Sequence, residues 1–360
     1  MGHFRILVIN PGSTSTKLAI FEGGMSVSDE RIEHPEEELR RFPDIPSQAE
    51  YRLGLVEGFI TSHGIDPNAL DAVSARGGLM KPVRSGVYRV TEAMVYDLKA
   101  SKARWGREHA SNLGCIIALS LSMKYAMPAF TADPVTVDEM DDVARLSGVP
   151  EIMRKSHLHA LNIKAMVRRA ADEMGVEATR ANFVVAHMGG GISVAAVKAG
   201  VIVDVNNALL GMGPFSPQRA GALPIGDLVE MACSGKYYKE ALLEKLAKRS
   251  GLAGYLGTSD VREVERRIDA GDTDAGTALS AMAYQVSKEI AAMASVLEGR
   301  VDAVILTGGV AHSARFTGMV QGRVGFISKV IIYPGEAEME SLAYHASAAL
   351  SGLEEVLVYE

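Results

Sequence analysis

The chain has 360 residues, 48% hydrophobic and 22% charged, the profile of an ordinary soluble protein that is too long for one comfortable core. Its net charge of −7, with no basic run to offset it, excludes nucleic acid as the main ligand. Two cysteines, Cys115 and Cys233, in no metal or redox spacing exclude a disulfide framework.

From the N-terminus, Phe4–Asn10 reads as a strand, Pro11–Thr16 as a Gly/Ser turn, Lys17–Glu22 as a second strand and Val27–His34 as a third. The apolar start Ile6–Ile9 is cut at Asn10-Pro11, too short for a signal-peptide core, and no stretch reaches the roughly 20 apolar residues of a membrane span. The expectation is a cytoplasmic protein. Leu53, Val56, Phe59 and Ile60 recur at helical spacing within Ser47–His63, and Gly64 ends the run. Short strands follow at Asp71–Ala75 and Val87–Val90, then helices over Glu92–Ala103 and His109–Ala126. Pro128–Asp133 is a strand with an aspartate at its end, and His157–Gly175 a helix with Lys and Arg on its outer face.

The opening pattern then recurs half a chain later. Asn182–Met188 is a strand, Gly189-Gly190-Gly191 the turn, Ile192–Lys198 and Val201–Asn207 the next two strands. Helices over Asp227–Ser234, Lys239–Lys248 and Thr277–Leu297 follow. The chain closes with strand Asp302–Thr307, turn Gly308-Gly309, strand Lys329–Tyr333 and a helix over Glu338–Leu350. A duplicated strand-turn-strand-strand unit predicts an α/β protein of two similar lobes facing a cleft. Glycine turns suit such a cleft, because backbone N–H groups free of side chains can hold a polyphosphate.

The first turn, Asn10 to Lys17, puts an amide, four hydroxyls and one ammonium within eight residues, all of them donors to phosphate oxygens. The G-x-x-x-x-G-K-[ST] string of P-loop proteins is absent, and the G-x-G-x-x-G dinucleotide fingerprint fails where Ser216 breaks the Gly211, Gly213 run. Enzymes that phosphorylate alcohols need a base to take the hydroxyl proton. A carboxylic acid, with a pKa of about 4.3 by analogy with Glu, is already a nucleophile at neutral pH and would be repelled by such a base. A neutral Asn10 in this loop therefore points to a carboxylate acceptor. Asp133, at the end of a strand, is the candidate magnesium ligand, since that ion prefers oxygen donors and commonly uses one or two carboxylates.

These residues resemble the acetate kinase family. Val8-Ile9-Asn10-Pro11-Gly12-Ser13-Thr14-Ser15-Thr16-Lys17 is similar to its first motif and Val185-Ala186-His187-Met188-Gly189-Gly190-Gly191-Ile192-Ser193 to its second. Arg76-Gly77-Gly78, His109-Ala110-Ser111-Asn112, Gly308-Gly309-Val310 and the Glu338 region extend the match over nearly the whole chain. Within the family, Arg76-Gly77-Gly78-Leu79 and Gly190 resemble the butyrate kinase branch.

The resemblance implies the acetate and sugar kinase, Hsp70 and actin fold, an ATP substrate with Mg2+, and a homodimer or larger assembly. It also implies a first lobe of residues 1–150 plus a C-terminal helix from about 338 to 360, on the carboxylic acid side, and an ATP-binding second lobe of 151–337. Asn10, with Ser13, Ser15 and Lys17 around it, would position the transferring phosphoryl. Arg76 and Arg219 would neutralise the carboxylate and the group in flight, and His159 would hold the acyl phosphate carbonyl. His187 and Gly189, Gly190 and Gly191 would reach phosphate. His109 matches an active-site histidine or simply starts its helix. Ser259, Asp260, Val261 and Arg262 would meet adenine and ribose, and Gly308, Gly309, Val310 and Ala311 would let adenosine lie against backbone. Glu338, with Glu340 as the neighbouring alternative, would join Asp133 at the metal. The reaction implied is direct transfer from ATP to a short fatty acid, butyrate or isobutyrate, with acetate or propionate as alternatives; an actin-like or Hsp70-like ATP switch is the alternative of another class.

Overall fold

The computed structural model describes residues 2–106 and 108–360. The chain divides into two compact units, one of residues up to Val137 with Ala337–Glu360, the other Asp138–Glu336.

The first unit is built on seven strands: β1 (Arg5–Pro11), β2 (Ser15–Glu22), β3 (Met25–Glu33), β4 (Ala72–Ala75), β5 (Val87–Arg89), β6 (Ala129–Ala132) and β12 (Val356–Leu357). They lie in the order β12-β5-β6-β4-β1-β2-β3. β1, β2 and β3 pair antiparallel, while β1–β4 and β4–β6 pair parallel. The second unit carries β7 (Asn182–Met188), β8 (Ile192–Lys198), β9 (Val201–Val205), β10 (Ala303–Gly308) and β11 (Val330–Pro334), ordered β11-β10-β7-β8-β9. Here too the first three strands pair antiparallel and the last two parallel. Reading β3-β2-β1-β4-β6 beside β9-β8-β7-β10-β11 gives the same order and the same directions. The duplication expected from the sequence is therefore real at the level of topology.

The central strands read as apolar runs because both faces are covered. Ile6 to Ile9 in β1 and Val304 to Leu306 in β10 are fully buried. On the first sheet pack the helices Ala49–Ser62, Asn112–Tyr125 and Glu338–Leu350; on the second, Thr273–Val296, with Val286 and Ile290 fully buried. The C-terminal helix is fixed to β4 by the Ser74 hydroxyl, which donates to the Leu342 carbonyl at 2.9 Å.

Several expectations shift. The helical pattern over Glu92–Ala103 is two helices, Glu92–Lys99 and Ser101–Trp105, and helices Gly251–Leu256, Val261–Asp269 and Ala314–Val324 were not read from the sequence. The helix expected over His157–Gly175 begins only at Ala160, and Lys164 is not on its outer face. The Lys164 ammonium is buried, bound to Glu139 at 2.7 Å and to the Gly200 carbonyl at 2.7 Å, which offsets its desolvation. Among the described residues no helix is long and apolar enough to cross a membrane.

Candidate active site

Asn10 and His187 are both the penultimate residues of the first strand of their unit, so the duplicated fold sets a polar side chain at the same place twice. The surroundings of the two differ.

In the first unit, the Asn10 side-chain amide donates to Glu338 Oε2 at 2.8 Å, and Arg76 Nη1 donates to the same oxygen at 2.9 Å. Glu338 is 3% exposed, so this charge-assisted pair is screened from water. Asn10, Arg76 and Glu338 are thus brought together from β1, the end of β4 and the start of the C-terminal helix. The Arg76-Gly77-Gly78 segment owes its course to two close approaches. A Cβ on Gly78 would lie 2.1 Å from Asn112 Oδ1, and one on Gly114 would lie 2.3 Å from the Arg76 carbonyl. The Asn112 side chain also accepts from Leu79 N–H at 2.8 Å and donates to Ser101 Oγ at 2.8 Å. The sequence motifs around Arg76 and around His109 therefore interlock, with Asn112 as the pin. His109 itself turns back onto Ser111, its Nδ1 lying 2.7 Å from the hydroxyl.

The turn after β1 places Ser13 and Thr14 in solvent and Ser15 and Thr16 inside. Beneath it lies Arg52, fully buried, which the sequence reading passed over. The signal was present: 52, 56, 59 and 60 share one face of a 3.6-residue helix, so the stripe that predicted the buried helix also included an arginine.

Asp133 sits at φ +40°, a conformation uncommon for any residue but glycine, asparagine or aspartate. Its Oδ1 accepts from the Ser85 hydroxyl at 2.6 Å and from Gly86 N–H at 2.9 Å. Its Oδ2 is 3.7 Å from Nε2 of buried His345, whose Nδ1 donates to Glu354 at 2.6 Å. Among the described residues no three His, Cys, Asp or Glu side chains gather as a metal cage. Magnesium needs no such cage, since one or two carboxylates complete its shell with waters and substrate phosphates. Asp133 and Glu338 are both buried carboxylates whose protein hydrogen bonds fall on a single oxygen, and they fit that requirement.

In the second unit, His187 is fully buried and stacks on His159, ring centroids 3.9 Å apart and planes 11° from parallel. The Asn162 amide donates to His187 Nδ1 at 2.9 Å and to Thr307 Oγ1 at 3.2 Å, which fixes the His187 tautomer with its proton on Nε2. That nitrogen lies 3.6 Å from Glu336. His159 is held through Nδ1 at 2.9 Å from Ser193 Oγ. The two histidines expected at phosphate and carbonyl are thus neighbours; Asn162 and Glu336, which orient one of them, carry no local motif and were not anticipated.

The triple-glycine turn folds against the Ser216–Arg219 loop. Ser216 Oγ donates to the Gly190 carbonyl at 2.6 Å, and Arg219 Nη1 donates to the Ala208 carbonyl. A Cβ on Gly191 would sit 1.9 Å from Arg219 Nη1, so the glycine is what admits the guanidinium. Arg219 also lines an apolar cavity of about 510 Å³ whose walls include Leu209, Leu210, Met212, Leu223 and Leu246. A second cavity, of about 520 Å³, is lined by Gly189, Gly190, Ser259, Asp260, Val261, Arg262, Gly309 and Val310. These expected nucleotide and phosphate residues therefore share one concavity within the size range of ligand sites. His312, Glu265 and Gln218, not anticipated, line it too. Gly308 and Ala311 do not: Gly308, at φ +91°, packs on the Met188 backbone, and Ala311 is buried in the core. Asp260 caps the helix Val261–Asp269, and its carboxyl, held below the usual carboxylate range by Arg262, pairs with that exposed guanidinium at 2.9 Å.

A duplicated sheet of this order, with a glycine turn after the first strand of each copy, is the fold of the acetate and sugar kinase, Hsp70 and actin class. The chain superposes on the crystal structure of Porphyromonas gingivalis acetate kinase with a TM-score of 0.78 at 20% identity, covering 96% of this chain and 100% of that one. The Acetokinase family model matches residues 149–324. A probable butyrate kinase of Listeria innocua is 49% identical over 356 residues, 99% of each chain, and a probable butyrate kinase 2 of Caldanaerobacter subterraneus is 49% identical over the same span and shares. The chain belongs to the acetokinase family.

Proposed function

We propose that the protein transfers the γ-phosphoryl of ATP to the carboxylate of a short fatty acid, butyrate or isobutyrate in preference to acetate or propionate, forming an acyl phosphate and ADP reversibly. The observation that carries this reading is Arg219 at the wall of an apolar cavity of about 510 Å³. A cation beside an aliphatic chamber matches a ligand with an anionic head and an alkyl tail, and Arg219 offers the planar fork that carboxylates favour. The sequence reading had put the acid on the first lobe; this cavity belongs to the second unit.

ATP is proposed to occupy the cavity between the Gly189 and Gly309 turns, its base and ribose toward Ser259–Arg262 and its phosphates toward the glycine N–H groups; His187, fully buried, does not line this cavity. On the first unit Asn10 is proposed to position the transferring group while Lys17 and Arg76 offset its charge; on the second, Arg219 is proposed to offset charge and His159 to donate to the carbonyl oxygen that the acceptor retains. No proton has to leave the acceptor. Asp133 and Glu338 would hold magnesium, which would supply positive charge against the phosphates. No covalent enzyme intermediate is needed.

The test is formation of acyl hydroxamate from ATP and acids of two to six carbons. The reading expects turnover peaking near four carbons, falling gradually because one methylene changes binding by only about 1–3 kcal/mol. Leu210→Trp, which fills the cavity, should shift the preference toward acetate. Absence of hydroxamate with every acid, while ATP still binds, would leave the ATP-switch alternative in place of this one.

A further inference from the structure

We propose that Arg52 is a positioning residue that shapes the turn after β1 into a phosphate clamp, by drawing the turn's carbonyls inward so that the Ser13 and Thr14 N–H groups face outward. This rests on the kinase reading for its ligand but on geometry for its substance.

Arg52 is fully buried, on the inner face of the helix Ala49–Ser62. Its guanidinium donates to the Gly12 carbonyl at 2.8 Å, the Ser13 carbonyl at 3.2 Å, the Ser15 carbonyl at 3.4 Å and Thr16 Oγ1 at 3.1 Å. Nε and Nη2 are anchored on Gln48 Oε1 at 3.2 and 2.8 Å. Three of the five donors of the fork are thus spent on one short turn and two on its anchor Gln48. In a trans peptide the N–H lies opposite the C=O of the same plane, and no cis peptide occurs among the described residues. With the Gly12 and Ser13 carbonyls on Arg52, the N–H groups of Ser13 and Thr14 must point the other way. Successive N–H groups aimed to one side form an anion-binding concavity. The Gly12 N–H, which closes the hairpin onto the Ser15 carbonyl at 2.7 Å, is not part of it.

Charge adds to geometry. Among the described residues no carboxylate lies within ion-pair distance of Arg52; its partners are all neutral oxygens. Burial lowers its pKa to about 10, still well above neutrality, so a positive charge lies uncompensated beneath the turn. A neutral amide or an apolar residue of similar length could fill the space at less desolvation cost. A phosphate on the outer side of the turn supplies the missing countercharge. The second turn needs no such device: its three glycines leave the backbone bare, and Arg219 approaches it directly.

The test compares wild type with Arg52→Lys, which keeps the charge but loses the fork, and Gln48→Ala, which keeps Arg52 but frees its anchor. Folding is followed by circular dichroism and thermal unfolding. In the hydroxamate assay Arg52→Lys should lose about 10²-fold in kcat with KM for ATP and butyrate within about threefold, the signature of a misplaced clamp. Gln48→Ala should lose about tenfold in kcat while staying folded, and so keeps the test alive if Arg52→Lys does not fold. A folded Arg52→Lys, or failing that a Gln48→Ala, with wild-type kcat overturns the proposal. Should wild type itself make no hydroxamate, the kinase reading fails separately, and thermal stabilisation by inorganic tripolyphosphate decides: stabilisation of wild type and not of the variants supports the clamp, equal behaviour of all three overturns it.

Discussion

Gly191→Ala should separate activity from stability. The added Cβ would lie 1.9 Å from Arg219 Nη1 and 3.0 Å from the Ala208 carbonyl, where ordinary contacts begin at 3.4 Å. The backbone at Gly191 is not in the left-handed region, so alanine brings no torsional strain, and the nearest obstacle is the mobile end of a side chain. The guanidinium must therefore retreat by about 1.5 Å, losing its bond to Ala208 at a cost of about 1 kcal/mol. In a unit of this size that lowers the melting temperature by about 2–4 °C. A displacement of that length at a group that neutralises the transferring phosphoryl should reduce kcat by about 10²-fold. The assay is hydroxamate formation under saturating ATP and butyrate, run beside Arg219→Ala and the double variant. If the glycine acts only by admitting Arg219, the double variant is no worse than Arg219→Ala alone. A Gly191→Ala enzyme with wild-type kcat, or a double variant whose losses multiply, would refute the reasoning.

Three further outcomes are expected. Gly78→Ala, whose Cβ would meet Asn112 Oδ1 at 2.1 Å and the Asn112 backbone at 2.6 Å, cannot be absorbed by a side-chain swing and should lower thermal stability by about 3 kcal/mol. Burial, with the nearby Arg52 charge, lowers the His34 pKa from 6.5 to about 4; the unfolded chain takes up this proton first, so stability falls as pH drops from 6.5 through 4. His34→Gln should flatten that dependence by about 2 kcal/mol in urea titrations across the window, and an unchanged pH profile would remove His34 from the account. Chelation by EDTA should abolish hydroxamate formation, with recovery on excess magnesium and no change in circular dichroism, because Asp133 and Glu338 retain protein donors.

The site was legible wherever local chemistry repeats. Glycine turns after apolar strands, hydroxyls in a row and an Asn before Pro-Gly are patterns within ten residues, and they led to Asn10 and the Gly189 turn; Arg219 came from the resemblance to the family. The helix Val261–Asp269 was missed although Asp260, Val261, Val264 and Ile268 give its cap and apolar stripe, because only its first residues had been weighed, as nucleotide contacts. Arg52, Asn162 and Glu336 were missed for another reason. Each acts on a residue far away in the chain, Arg52 on Gly12 and Asn162 on His187 and Thr307, and no spacing encodes such partners.

The sequence alone determined the duplicated strand-turn-strand-strand succession and the positions of the turns, because periodicity and turn chemistry are set by neighbours along the chain, and its motifs carried the resemblance to the family. Tertiary structure alone decided that Glu338 takes both Asn10 and Arg76, that His159 stacks on His187, and that Gly191 makes room for Arg219. These depend on close packing of segments distant in sequence, where a few tenths of an ångström decide which side chains can meet.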